Sequence, residues 1–505
     1  MSTNKTIAKN TMFLYFRMLL TMGVGLFTSR LVLDALGVVD YGIYGLVGGI
    51  VTMFAFLNSA MSSATQRYLS FDIGKKDWDR LQKTFNATLN IHIGIAVVIF
   101  ILAETLGLWF VNTQLDIPAE RMYAANWVYQ FSIFAFVTNV VQVPYNALLF
   151  AREHMSVYAY VSILETLLKL GIVLYLVQAK GTDPLILYAV LTFAVAFVIR
   201  MIYKLYCKRH FKESVYQFHW DKAYYKELLS YSGWNLFGNI AVVARGQGSN
   251  ILLNLFFGPV ANAAYAVTMM VQSVMGSFVS NFQVAINPQI IKNYAKGDQD
   301  TSLNLMYKSA KFSFFGMLIL VVPFLVNIDY IMHLWLKEVP PYAIDFIRLA
   351  LICTLIETIS NPLMSGAQAT GKIKWYQIII GSFIFMTFPV VYIVFKITNN
   401  PIDLYWVFIG NSLIALVFRL FFLRKMMSLK LKDFFKKVIF PLCWVSVLVF
   451  IIAEFEFISK ADNFYNLLFN IGILVTIILF VIIILGTTKG ERMKGIQFLK
   501  SKLLK

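Results

Sequence analysis

Two arginines carry the chemistry this chain could do. Arg17 and Arg245 each sit inside a long apolar run, and neither has an acidic residue three or four positions away on either side. A guanidinium keeps its charge at any ordinary pH and offers a planar fork of donors matched to phosphate oxygens. At mid-membrane depth it is costly unless it faces a hydrated cavity or a partner. Arg17 and Arg245 are therefore expected to line a wet chamber that takes a polar, anionic cargo. The opposing expectation is that each pairs with an acid from another helix, such as Glu104 or Glu357, or snorkels. Arg30 and Arg67 are further candidate contacts. Asp34 lies one turn beyond Arg30 and would neutralise it locally; Arg67 stands near the end of its apolar run, where snorkelling serves equally well.

Polar stripes accompany these cations. Asn58, Ser62 and Gln66 recur every four residues; Ser273, Ser277, Ser280 and Asn281 form a second set; Asn235 and Asn239 precede the run Arg245-Gly246-Gln247-Gly248-Ser249-Asn250. Helical spacing puts each set on one broad face. Such faces either bond helix to helix or wall a vestibule. On the second reading Asn58, Gln66, Asn239, Gln247 and Asn250 join the arginines as substrate contacts. Glu165 and Lys169, four apart with the acid first, form a favourable helical pair and are candidates for ion coupling, or else a neutralised pair that lets the helix insert.

Other chemistries lack residues. The three cysteines and five histidines show no metal or disulfide spacing, so no metal and no cofactor is expected. Gly366-Ala367-Gln368-Ala369-Thr370-Gly371-Lys372 begins like a phosphate loop, but Ile373 occupies the place of the magnesium-binding hydroxyl. No catalytic residue is expected, and the chain reads as a non-enzyme.

The elements that must position these residues are membrane helices. Of 505 residues, 59% are hydrophobic and 14% charged, a balance for which the bilayer is the solvent. Apolar stretches predict an all-α polytopic membrane protein of about fourteen transmembrane helices, near 10–34, 41–70, 84–112, 123–151, 155–178, 184–205, 231–257, 262–286, 304–328, 343–368, 375–396, 403–423, 438–456 and 464–486. The net charge of +18 concentrates in alternate loops, for example Lys75, Lys76, Arg80 and Lys83, or Lys204, Lys208, Arg209 and Lys212, and in the tail from Lys489 to Lys505. The intervening loops hold little beyond Arg121, Lys180, Lys337, Lys396 and Lys460. This positive-inside bias puts both termini in the cytoplasm and removes nucleic acid as the explanation of the basicity. The first run, long and holding Arg17 and Arg30 without a small-residue cleavage site, does not read as a cleaved signal peptide.

An internal repeat organises the helices. Leu36-Gly37-Val38-Val39-Asp40-Tyr41-Gly42-Ile43-Tyr44 parallels Phe257-Gly258-Pro259-Val260-Ala261-Asn262-Ala263-Ala264-Tyr265, with Gly and Tyr matched 221 residues apart. Asn58, Gln66 and Gly74 then meet Asn281, Gln289 and Gly297, and Pro144, Ala151 and Tyr158 meet Pro362, Ala369 and Tyr376. Six spans per repeat make the two lobes parallel, an arrangement used for alternating access. The expected organisation is a six-helix lobe over 1–207, a cytoplasmic linker over 208–229, a second lobe over 230–428, and a two-helix hairpin with a basic tail over 429–505.

The stretches SRLVLDALGVVDYGIYGLVGGI, ATQRYLSFDIGKKD and, in the second half, FGPVANAAYAV and INPQIIKNYAKGD resemble those of Wzx-type O-antigen flippases, the polysaccharide transporter branch of the multidrug/oligosaccharidyl-lipid/polysaccharide exporter superfamily. The resemblance covers both lobes. It implies two lobes around a cationic cavity that moves an undecaprenyl-pyrophosphate-linked oligosaccharide, such as an O-antigen or capsule repeat unit, across the bacterial inner membrane. Its implied partners are that lipid-linked glycan, membrane lipids, and a glycan polymerase or ligase in the same membrane. Related lipid II flippases carry two extra C-terminal helices thought to guide the lipid tail, a role open to the last two spans. The rival within the superfamily is an ion-coupled multidrug exporter, which wants acids in its cavity where this chain sets unpaired arginines. A membrane glycosyltransferase or polymerase would need catalytic acids or large outer loops, and the outer loops here are short.

Overall fold

Lipid offers the backbone no hydrogen-bond partner, so apolar runs of this length have to close their bonds within helices. The computed structural model describes residues 3–52, 55–113, 115, 117–179, 183–336, 338–454 and 461–493. Seventeen α-helices and no strand occur among them. Lys180, Lys337, Lys460 and the tail lysines from Lys494 onward lie outside the described residues. The protein is an all-α polytopic membrane protein. Eleven helices are long and apolar enough to cross a bilayer. The fourteen expected spans follow when α8 (Lys222–Ala295) is counted as two legs and the stretches over 41–70 and 343–368 are added. Both stretches carry polar residues at helical spacing.

The chain divides into two compact units, Met1–Ile240 with Ile291–Gly297, and Ala241–Ile290 with Asp298–Lys505. Unit 1 contains α1 (Thr3–Thr52), α2 (Ala55–Lys75), α3 (Trp78–Leu102), α4 (Leu108–Thr113), α5 (Met122–Ala151), α6 (Met155–Gln178), α7 (Pro184–His210) and the start of α8. Helix α5 packs against α1, α2, α3 and α7, and α1 lies along α6. The segment over 208–229 belongs wholly to this unit. Two asparagines one turn apart on α3 hold it there: Asn86 accepts from the Gln217 amide at 3.0 Å, and Asn90 accepts from the Tyr216 hydroxyl at 2.9 Å while donating to that of Tyr225 at 2.8 Å. The division therefore falls inside α8, past the segment expected to link the lobes. The last turns of α8 return to unit 1, where Lys292 pairs with Glu153.

Unit 2 contains the rest of α8, α9 (Gln299–Val326), α10 (Ile328–Trp335), α11 (Ala343–Thr370), α12 (Lys374–Phe385), α13 (Thr387–Thr398), α14 (Asp403–Met427), α15 (Leu431–Phe434), α16 (Phe440–Glu454) and α17 (Phe464–Val481). Helix α11 packs between α9 and α14. The terminal pair α16 and α17 is docked on α9. Asn327, just past α9, accepts from the Ala461 amide at 3.3 Å and from Asn470 at 3.2 Å. At the other end Gly486 lies so close to Phe315 that a Cβ there would come within 2.6 Å of the ring. Lys311, 4% exposed, pairs with Glu491 at 2.7 Å.

The internal repeat is visible in the backbone. Gly37 breaks α1 at φ 76°, ψ 168°, and Gly258 breaks α8 at φ 73°, ψ −171°. Only glycine occupies that region without strain, which is why this pair survives in an otherwise divergent repeat. Asp77 and Asp298, also 221 apart, are the N-caps of α3 and α9, accepting from the amides of Arg80 and Thr301. Pro144 and Pro362 lie inside α5 and α11, near their C-terminal ends.

Candidate functional site

In unit 2 the site grows from one polar face of α11. Thr354, Glu357, Thr358 and Asn361 follow helical spacing and share that face. Two glutamines of α8 are fixed on it: Gln272 donates to the Ala350 carbonyl at 3.0 Å and to Thr354 Oγ1 at 2.9 Å, and Gln283 donates to Ser313 Oγ at 3.1 Å and to the Thr358 carbonyl at 3.4 Å. Beside them Arg245 projects from α8. Its two terminal nitrogens both donate to Glu357 Oε1, each at 3.1 Å. Its guanidinium lies 5.2 Å from the centroid of the Phe408 ring, a cation–π contact that fixes the plane of the fork. Ser412 Oγ stands 3.5 Å from the same carboxylate oxygen.

These groups line a cavity of about 330 Å³. Arg245, Gln272, Glu357 and Asn361 supply its polar wall; Tyr265, Met269 and Phe408 supply its apolar and aromatic wall. The Arg245 side chain remains 20% exposed and that of Glu357 35%, so the ion pair faces the opening and is not sealed in the core. The arrangement is a permanently charged donor fork, held by a carboxylate, in a pocket with neutral hydrogen-bonding groups and a ring face.

Arg17 has a different setting, inside unit 1. Its guanidinium lies 4.9 Å from the centroid of the Tyr158 ring on α6, and that ring stacks on Tyr203 of α7 at 6.3 Å. Its Nε is buried with no hydrogen-bond partner, and no carboxylate pairs with it among the described residues. Arg67 is 5% exposed and enclosed by Tyr68, Phe71 and Tyr231, at 4.5, 4.6 and 5.6 Å. Arg30 is exposed and makes no ion pair with Asp34 among the described residues. Glu165 and Lys169 do pair, at 2.7 Å and partly exposed.

The polar stripes divide similarly. On α2, Asn58 Oδ1 and Gln66 Nε2 are buried without a partner among the described residues. Asn239 donates to Ser59 Oγ at 3.0 Å within unit 1. Gln247 is exposed. Asn250 accepts from Asn262 through its side chain at 2.6 Å and its carbonyl at 2.8 Å, a staple between the two legs of α8 across the Gly258 break. A second cavity of about 410 Å³, in unit 1, is lined by Gly45, Gly48, Phe131, Phe193 and Asn139 among others and includes none of these arginines. Of this face the sequence marked only Glu357, as a possible partner of an arginine, and the structure pairs it with Arg245; Thr354, Thr358 and Asn361 went unread, although their spacing repeats the rule that picks out α2.

A family model described as polysaccharide biosynthesis protein matches residues 7–294, and one described as MatE matches residues 236–393. No curated protein matches the chain. Among solved structures, the chain is similar to an outward-facing multidrug resistance MATE family transporter of the MOP superfamily, with a TM-score of 0.74, 13% identity, and 84% of this chain and 96% of that one covered. A MATE in the straight conformation gives 0.73, 14%, 84% and 96%. A MOP superfamily transporter from Pyrococcus furiosus, described by the reverse polarity of its binding pocket, gives 0.72, 13%, 84% and 96%. At such identities the likeness establishes a shared fold.

Proposed function

The chain belongs to the polysaccharide biosynthesis protein family, and from that premise we propose that it moves an undecaprenyl-pyrophosphate-linked oligosaccharide across the bacterial inner membrane by alternating access. The observation that carries the reading is Arg245, a permanent cation at the wall of a polar cavity within unit 2. Its fork is matched to a diphosphate, while Gln272, Asn361 and neighbouring hydroxyls suit sugar hydroxyls. Arg17, whose Nε is buried with no partner among the described residues, is a candidate phosphate contact within unit 1. Asn58 and Gln66, buried without a partner among the described residues, are candidate sugar contacts within unit 1. No bond is made or broken; the termini lie in the cytoplasm, and a glycan polymerase or ligase in the same membrane receives the product. Substitution of Arg245 or Arg17 by Ala, with surface expression verified, is expected to cut glycan export at least tenfold. Unaltered export in both variants overturns the site.

One observation favours a second reading. The cavity also contains Glu357 beside Tyr265, Met269 and Phe408, an acid with aromatic walls that suits an organic cation, and the MatE match covers most of this region. An ion-coupled multidrug exporter predicts that a deletion strain becomes sensitive to cationic dyes while its glycans stay normal; the flippase reading predicts the reverse.

A further inference from the structure

We propose that Glu357 is a built-in competitor for the anion site: it occupies the Arg245 fork until a ligand's phosphate displaces it, and so sets the affinity and selectivity of the cavity. The inference rests on Arg245 being an anion-binding group. Three features of the geometry carry it. Both terminal nitrogens of Arg245 converge on the single oxygen Glu357 Oε1, whereas the strongest guanidinium pairing uses two parallel bonds to two oxygens. A diphosphate can offer that arrangement; Glu357, as seated, does not. The pair also lies at a cavity wall, with 20% and 35% of the two side chains exposed, so an incoming anion reaches the fork without unpacking the core. Finally, the Phe408 ring against the guanidinium and Ser412 Oγ at 3.5 Å from the carboxylate keep one group poised when the other leaves.

An exchange of this kind has a selective consequence. The empty site carries a neutralised pair, which removes the cost of an isolated cation within the membrane. A weakly binding monoanion gains little over the carboxylate already present, while a ligand with several phosphate oxygens gains a second bond. Glu357 thus raises the threshold for occupancy in favour of anions that present two oxygens to the fork, as phosphates do.

The test is binding of farnesyl pyrophosphate to the purified full-length protein in nanodiscs, with farnesol as the phosphate-free control. Glu357→Gln leaves a neutral carbonyl that holds the fork with about half the strength of a carboxylate. It is expected to tighten binding of farnesyl pyrophosphate at least fivefold and to leave farnesol unchanged. Glu357→Asp, one methylene shorter, is expected to give a smaller gain in the same direction, and it carries the test if the Gln variant does not remain monodisperse. Arg245→Ala is expected to abolish the preference for the pyrophosphate. If both Glu357 variants bind no tighter than wild type while Arg245→Ala loses binding, Glu357 is not a competitor although Arg245 remains an anion site. If Arg245→Ala binds like wild type, the anion site itself is overturned.

Discussion

At the scale of single residues, the same side chain takes three roles according to what surrounds it. Arg67 is closed in by three rings and 5% exposed; Arg17 lies against one ring with an idle Nε; Arg245 faces a cavity through an ion pair. All three are arginines in apolar runs, and the sequence set only Arg67 apart, by its place near the end of its run. A fourth, Arg121, is structural. It donates to Asp40 at 2.8 and 2.6 Å and to Asp183 at 2.6 and 3.1 Å, tying α7, through its N-cap Asp183, to the turn before Tyr41. The hydrogen bond from Arg121, opposed by burial and aided by the Ile186 and Leu185 amides, holds the Asp183 carboxyl below its ordinary value of 3.8. A carboxylate whose value is depressed on folding stabilises the protein above that ordinary value and ceases to do so as pH falls through the folded one. Asp183→Asn, which keeps the cap but loses the charge, is expected to cost about 1 kcal/mol at pH 7. Thermal unfolding in detergent should show the gap from wild type closing as pH drops below 3.8.

At the scale of elements, the informative helices are those with a polar face. Helices α2 and α11 carry Asn58 and Gln66, and Thr354, Glu357 and Asn361, on single faces, and neither is among the eleven helices that meet the length and composition of a membrane span. Their apolar remainder still places them among the spans. The breaks in α1 and α8 belong to this scale too. Gly37 and Gly258 share a backbone conformation that a Cβ opposes, while nothing in the surroundings would touch that Cβ. Gly37→Ala and Gly258→Ala are thus expected to cost about 1–3 kcal/mol each, from backbone strain alone. Equal losses in melting temperature for the two variants would bear this out; no loss in both would refute the strain, and a loss in one alone would refute the equivalence of the two turns.

At the scale of the whole molecule, unit 2 is larger than its repeat counterpart because α16 and α17 are built onto α9. The attachment is polar at both ends, through Asn327 with Asn470 and through Lys311 with Glu491. Lys311→Ala removes the ammonium from Glu491, which is half-buried and keeps its hydrogen bonds from Thr488, a loss expected to cost about 1.5–3 kcal/mol. It is expected to expose the chain after Gly486 to proteolysis while the rest of the protein stays protected. A tail that remains equally resistant would mean that the hairpin is held by apolar packing alone.

What the amino-acid order determined by itself was the helical, many-spanning architecture and its repeat, because apolar length and glycine-specific turns are local properties of the chain. Local spacing also marked Arg245 as a cation without a neighbour on its own helix. Tertiary structure alone decided which arginines meet an acid, a ring or an opening: Glu357 reaches Arg245 across 112 positions of sequence, and no periodicity within one helix specifies such a meeting. The boundary within α8 has the same origin. Asn86 and Asn90 hold the segment after α7 by hydrogen bonds across more than a hundred residues, and so a stretch that is polar enough to read as a linker is part of a folded unit.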